Sequence, residues 1–328
     1  VEHCRMILQS VDFNNLEMKK LFVTLLLFTF FIAVQAQVTD EIITLSTPTG
    51  DLKGTLVLPN YGKHFNLVIL QPGSGPTDRN GNNPMGIKAN SYRLLAEALA
   101  KKNIATLLMD KRGIAASALA AKSEADLRFD DYINDLEGWA DWMKKDKRFK
   151  KITLAGHSEG SLIAMVAAQK ISIDNYISIS GISQPIENII TWQISQQAPK
   201  LAPIVDSLFL RLKLGEKLDS VPPYLFSVLR PSVQPYMASW MKYNPCNEIK
   251  KLTLPVLIIQ GTTDIQVKTE EAEKLHECNP QTSLIIIAGM NHILKKAPED
   301  RTQNMQTYSD EKLPVMPELV NAIADFIK

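Results

Sequence analysis

The chain has 328 residues, 45% hydrophobic and 22% charged, which suits one large globular domain or two smaller ones. Its formal net charge is only +1, so no global field recommends nucleic acid or an acidic surface as a partner.

The first recognisable segment is MKKLFVTLLLFTFFIAVQAQ, starting at Met18. Lys19 and Lys20 give a basic start, Leu21 to Val34 an apolar core, and Val34-Gln35-Ala36 a small-x-small cleavage site. These features predict a secretory signal peptide over residues 18–36, cut between Ala36 and Gln37. The mature protein is then periplasmic or secreted. The apolar run is short for a membrane span, so no stable membrane insertion is expected after cleavage. Residues 1–17 precede a sensible start at Met18 and are left outside the fold. Cleavage leaves Cys246 and Cys278. In an oxidising compartment they can pair, and they can equally stand as separate buried thiols.

Beyond the signal, Glu41–Ser46 and Leu52–Leu58 flank Pro48-Thr49-Gly50, the pattern of an opening β-hairpin. Asn66–Leu70 reads as a third strand, ending in Gln71-Pro72-Gly73-Ser74-Gly75-Pro76. Asn90–Lys102 has helical periodicity, and Ile104–Met109 is a buried strand closed by Asp110-Lys111-Arg112-Gly113. Asp130–Lys147 is a helix with Ile133, Leu136, Ala140 and Met143 on one stripe. A short strand at Ile152–Ala155 leads through Gly156-His157-Ser158-Glu159-Gly160 into an apolar helix, and Tyr176–Ser180 is a further strand.

Alternation breaks at Ser183. To about Lys251 the chain is helix-like and interrupted by prolines, among them Pro199, Pro203, Pro235 and Pro245. An insertion of about seventy residues exceeds ordinary loop length and needs structure of its own. It reads as a helical cap. Alternation resumes with a strand at Val256–Gln260, a helix at Thr269–Glu277, a strand at Leu284–Ile287 and a last helix from Pro317. Alternating strands and helices predict an α/β fold, a mostly parallel central sheet with helices on both faces. The division is a core over residues 37–182 and 252–328, with the cap at 183–251.

The chemistry concentrates at G-x-S-x-G. A strand that turns directly into a helix forces the central serine into a strained conformation and exposes its hydroxyl at the strand end. Ser158 is therefore the candidate nucleophile. A serine needs a base, and a carboxylate to orient that base. The chain has five histidines. His3 lies outside the mature protein, His64 in an early turn, and His276 on a helix. His157 adjoins the nucleophile but is directed away along the backbone. His292, in the loop after the last strand, remains as the base. Asp264, after the penultimate strand, is the candidate carboxylate. The amides of Glu159 and Ser74 are the candidate oxyanion donors. The Glu159 carboxylate needs no role of its own, because acids favour the first turn of a helix.

With these blocks in this order, the chain resembles the α/β-hydrolases. Within them it is similar to bacterial secreted serine esterases of the serine aminopeptidase-like or dienelactone-hydrolase-like kind. It departs from such relatives in having Pro72-Gly73 where His-Gly is usual, and Ala115 where a second glycine often follows Arg112-Gly113. The resemblance implies that Asp78 and Arg79 brace the oxyanion loop as an ion pair, or form a solvated turn. Trp192, Met237, Trp240 and Met241 read either as cap core or as lining of an acyl pocket.

The expectation is a secreted serine hydrolase acting on small-molecule carboxylic esters through an acyl-enzyme. Metal-ligand spacing and a dinucleotide fingerprint are missing from the sequence, so no cofactor is expected. An aminopeptidase is the nearest rival and needs a cap acid to hold the substrate amine, for which Glu187, Asp206 and Glu216 are available. Export disfavours a CoA thioesterase, and Ser158 in place of Asp disfavours dehalogenase or epoxide-hydrolase chemistry. A non-catalytic binding protein of the same fold is the rival from a different class.

Overall fold

The computed structural model describes residues 38–328, so the predicted signal peptide lies outside the described residues. Eight strands form one sheet in the order β1-β2-β4-β3-β5-β6-β7-β8. β1 (Thr39–Thr47) and β2 (Gly50–Leu58) make the antiparallel opening hairpin. β2 also runs antiparallel to β4 (Ile104–Met109). β3 (Phe65–Gln71), β4, β5 (Phe149–His157), β6 (Asn175–Ile179), β7 (Val256–Gly261) and β8 (Ser283–Ile287) are parallel throughout.

The central strands are apolar on both sides because both sides are covered. Leu67 and Ile69 of β3 pack into one core layer, and Val68 and Leu70 into the other. The second layer is closed by α1 (Ser91–Ala100) and the carboxyl-terminal helix (Pro317–Phe326). The first is closed by α2 (Phe129–Met143), which buries Trp139 completely, and by α3 (Glu159–Ala167). α3 is buried along its whole length, which is why its sequence is apolar all round rather than on one stripe.

Between β6 and β7 the chain forms α4 (Ile186–Ser195), α5 (Ala202–Lys213), α6 (Phe226–Leu229), α7 (Gln234–Trp240) and α8 (Pro245–Ile249). The prolines of this stretch mostly start helices instead of breaking them. Pro203, Pro235 and Pro245 occupy the first or second helical position, where a missing N–H costs nothing. Cys246 in α8 is disulfide-bonded to Cys278 at the end of α9 (Thr269–Cys278), with Cα atoms 5.5 Å apart. A short polar helix, α10 (Arg301–Gln306), precedes the last helix, α11 (Pro317–Phe326). No helix among the described residues is long and apolar enough to cross a membrane.

Strand order reverses between β3 and β5, because β4 lies on the far side of β3. In open α/β sheets the crevice at the carboxyl ends of such a pair is where ligands bind. The loop after β3 carries Ser74 and the turn after β5 carries Ser158. The loops after β7 and β8 carry Asp264 and His292.

Candidate active site

Ser158 sits between β5 and α3 with φ 56° and ψ −121°, a conformation that costs a non-glycine residue about 1–3 kcal/mol. The turn is possible only because the flanking backbones touch. A methyl on Gly156 would lie 2.0 Å from the Gly160 carbonyl oxygen, and one on Gly160 would lie 2.4 Å from the Gln71 carbonyl oxygen. Neither position tolerates a side chain. The Ser158 amide donates to Ile179 O at 2.9 Å, which ties the turn to the end of β6.

His292 Nδ1 donates to Asp264 Oδ2 at 2.8 Å. A carboxylate only accepts, so this bond fixes the proton on Nδ1 and leaves the Nε2 lone pair free. The Asp264 side chain is completely buried. Its other oxygen accepts from the amides of Gln266 (2.8 Å) and Val267 (2.9 Å), and Gln260 Nε2 adds a bond of 3.0 Å to Oδ2. Burial alone would raise the Asp264 pKa; electrostatic attraction to His292 and the hydrogen bonds from His292, Val267 and Gln266 outweigh it and hold the carboxyl below its usual range. The four groups that hold this acid lie within seven residues of β7 or on the His292 loop. A local turn therefore presets the carboxylate.

His157 does not point away as its position along the backbone suggests. It is buried, with its ring centroid 4.7 Å from that of His292. Its Nε2 donates to His292 O at 2.8 Å, and its Nδ1 accepts from Tyr92 Oη at 2.7 Å. Burial and the neighbouring His292 push its pKa down to about 3, so the ring is neutral and stands as a strut under the His292 loop. Tyr92 Oη in turn accepts from the Gly73 amide at 3.0 Å. The loop after β3, the base of the Ser158 turn and the His292 loop are thereby joined through one buried chain. Of the remaining histidines, His64 is exposed and bonded to Lys147 O, and His276 is bonded to Thr282.

The amides of Ser74 and Glu159 donate to no other group among the described residues. Ser158 Oγ and His292 Nε2 likewise make no intramolecular hydrogen bond there. The candidate nucleophile, the candidate base and both candidate oxyanion donors are thus left open at one rim of the sheet. Such bonds commonly tighten only around substrate.

Other readings are decided or corrected. Arg79 pairs with Asp110 at 2.6 Å and not with Asp78, whose carboxylate caps the amides of Asn80 and Asn82. The brace exists, but its acid comes from the end of β4. Met237, Trp240 and Met241 are core residues, Trp240 stacking on Phe129 with centroids 5.4 Å apart. Trp192 lines a cavity of about 380 Å³ between α4 and the loop after β7, which Ser158 does not line. Ala115 has φ 46°, so the departure from glycine there places a side chain in left-handed backbone. Sequence reasoning missed Tyr92 and Gln260, for which no local signal exists. It also gave no role to Lys111 and Tyr236, which reach the Glu159 carboxylate from β4 and from α7.

Comparison with known proteins agrees with this architecture. The family described as "Serine aminopeptidase, S33" matches residues 85–225, a span that includes Ser158 but neither Asp264 nor His292. Esterase EstD of Thermotoga maritima is 24% identical over 255 residues, covering 74% of this chain and 58% of EstD. The chain thus spans little more than half of that relative. Among solved structures, Est1E of Butyrivibrio proteoclasticus with ferulic acid bound superposes with TM-score 0.58 at 19% identity, covering 87% of this chain and 99% of that one. Esterase Pf2001 of Pyrococcus furiosus gives TM-score 0.56 at 19% identity, covering 89% of this chain and 90% of that one. The sheet order, the strand–turn–helix at Ser158 and these likenesses to solved structures together show the α/β-hydrolase fold.

Proposed function

We propose that the protein is a serine esterase in which Ser158, His292 and Asp264 act as a catalytic triad. The observation that carries the reading is the 2.8 Å bond from His292 Nδ1 to the buried Asp264 carboxylate, at the rim where the Ser158 turn ends. His292 Nε2 takes the Ser158 proton as Oγ attacks the ester carbonyl carbon. The carbonyl electron pair moves to oxygen, and the amides of Glu159 and Ser74 hold the resulting oxyanion. Collapse expels the alcohol, which takes the proton from His292. Water, deprotonated by His292, then attacks the acyl-enzyme and releases the acid. Asp264 stabilises the transient imidazolium through the bond it already makes. The esterases among the similar proteins favour ester substrates, and export through residues 18–36 would place the reaction outside the cytoplasm.

The serine aminopeptidase description of the matching family favours a second reading, in which the acyl donor is an aminoacyl group. It needs a free acid to hold the amine. Each cap acid available for that has one partner already: Glu187 Oε1 with Lys213 at 2.6 Å, its Oε2 being buried without one, Glu216 with Arg211 at 2.7 Å, and Asp206 with the Thr191 hydroxyl at 2.6 Å. The test compares p-nitrophenyl esters of rising acyl length with aminoacyl p-nitroanilides on the purified protein. Turnover of the esters, abolished by Ser158→Ala, is expected. Turnover of the anilides alone would replace the esterase with the peptidase.

A further inference from the structure

Lys111 is a buried cation that the mechanism above does not use. Its side chain is 2% exposed, as is that of Glu159, to which Nζ donates at 3.1 Å. Nζ also donates to Gly73 O at 2.6 Å and lies 5.2 Å from the centroid of the Tyr132 ring. An ammonium has three donors, and these neighbours use them all: a carboxylate, a carbonyl and an aromatic face. The other Glu159 oxygen accepts from Tyr236 Oη at 2.5 Å, so α7 closes the cluster from above.

From this we infer that Lys111 is a positioning residue that sets the orientation of both oxyanion donors, an inference that rests on the assignment of Ser74 and Glu159 proposed above. The peptide between Gly73 and Ser74 is trans, so its carbonyl and its N–H point in opposite directions. Holding Gly73 O down toward the buried ammonium turns the Ser74 N–H outward, on the side away from Lys111. The same loop is pressed against the nucleophile: a methyl on Gly73 would come within 3.2 Å of Ser158 Cβ. Tyr92 grips the Gly73 amide from the other side, so both polar backbone atoms of Gly73 have fixed partners. A charge-assisted bond to the carbonyl also polarises the peptide and makes its N–H a stronger donor. The second donor, the Glu159 amide, belongs to the residue whose carboxylate Lys111 holds. One ammonium therefore ties the two halves of the hole together across β3 and β5.

Removing Lys111 alone strands the Glu159 carboxylate in the interior and endangers folding. The test therefore uses the pair Lys111→Met with Glu159→Gln, which removes both charges, and the pair Lys111→Gln with Glu159→Gln, which keeps a neutral donor for Gly73 O. Each is measured for kcat and KM on a short-chain p-nitrophenyl ester and for inhibition by a trifluoromethyl ketone, whose adduct with Ser158 carries an oxyanion. The methionine pair is expected to lose about 10–100-fold in kcat with KM within about threefold, and ketone affinity is expected to fall in parallel. The glutamine pair is expected to lose only about 3–10-fold. A folded methionine pair with kcat within about threefold of wild type overturns the inference, as does a glutamine pair as slow as the methionine pair. Should the methionine pair not fold, the glutamine pair decides: a lowered kcat supports the inference and a wild-type kcat overturns it. If the wild type hydrolyses no ester and takes no ketone, it is the esterase reading that falls.

Discussion

The partners of His157 leave its protonation no freedom. Its Nε2 must carry the proton given to the His292 carbonyl, and its Nδ1 must stay bare to accept from Tyr92. A second proton would place a charge in a dry site beside His292, which is why the pKa falls to about 3 from the ordinary 6.5. This ties stability to pH in one direction. Above pH 6.5 neither the folded nor the unfolded chain protonates this residue and its stabilisation is complete. Between pH 6.5 and 3 the unfolded chain takes up a proton that the folded chain refuses, so stability falls with falling pH by up to about 1.4 kcal/mol per pH unit from this residue. Urea denaturation of the wild type and of His157→Asn at pH 7 and pH 5 measures it. The variant is expected to lose less stability than the wild type over that interval; equal losses would mean that His157 titrates normally in the fold. His157 was visible in the sequence, but its role was not, because that role depends on Tyr92 and on a loop far along the chain.

Among the elements, the central strands were legible because each is a short apolar run buried on both sides. β4 occupies Ile104–Met109, the span its sequence predicts. α2 stops at Met143 where the pattern suggested Lys147, since its last turn has only Lys144, Lys145 and Asp146 and nothing apolar to dock. α10 had no signal at all. Its sequence RTQNMQ is polar, and it is held by Asn304, buried among Thr263 O, Pro298 O and Asn291. The disulfide was undecidable from spacing and becomes plain when α8 and α9 lie side by side. It closes a loop with a sequence separation of 32 residues and fastens the end of the inserted helices to the core. In the chain-entropy account such a loop contributes about 3–4 kcal/mol. Replacing both cysteines by serine, or reducing the native protein, is expected to lower Tm by roughly 5–10 °C, read by differential scanning calorimetry. An unchanged Tm after complete reduction would show that the connection contributes little.

At the scale of the whole molecule, the parallel sheet converts separate positions in the sequence into one rim. Each proposed catalytic group follows the carboxyl end of a strand: Ser158 after β5, Asp264 after β7 and His292 after β8. That rule made them legible without coordinates, because a strand end can be read locally. The groups beneath them could not be read so. Lys111, Glu159 and Tyr236 come from the end of β4, the start of α3 and the inserted α7, and only the closed fold brings them together. The same holds for Asp110, which takes the arginine that the sequence appeared to offer to Asp78. The central claim is that Ser158 is a nucleophile activated by His292. Its most direct measurement is the mass of the protein after reaction with a fluorophosphonate, followed by peptide mapping. The predicted result is a single adduct on Ser158, absent from Ser158→Ala and formed about 10²-fold or more slowly in His292→Ala. A wild type that takes no label, or a Ser158→Ala variant labelled as fast as the wild type, would contradict it.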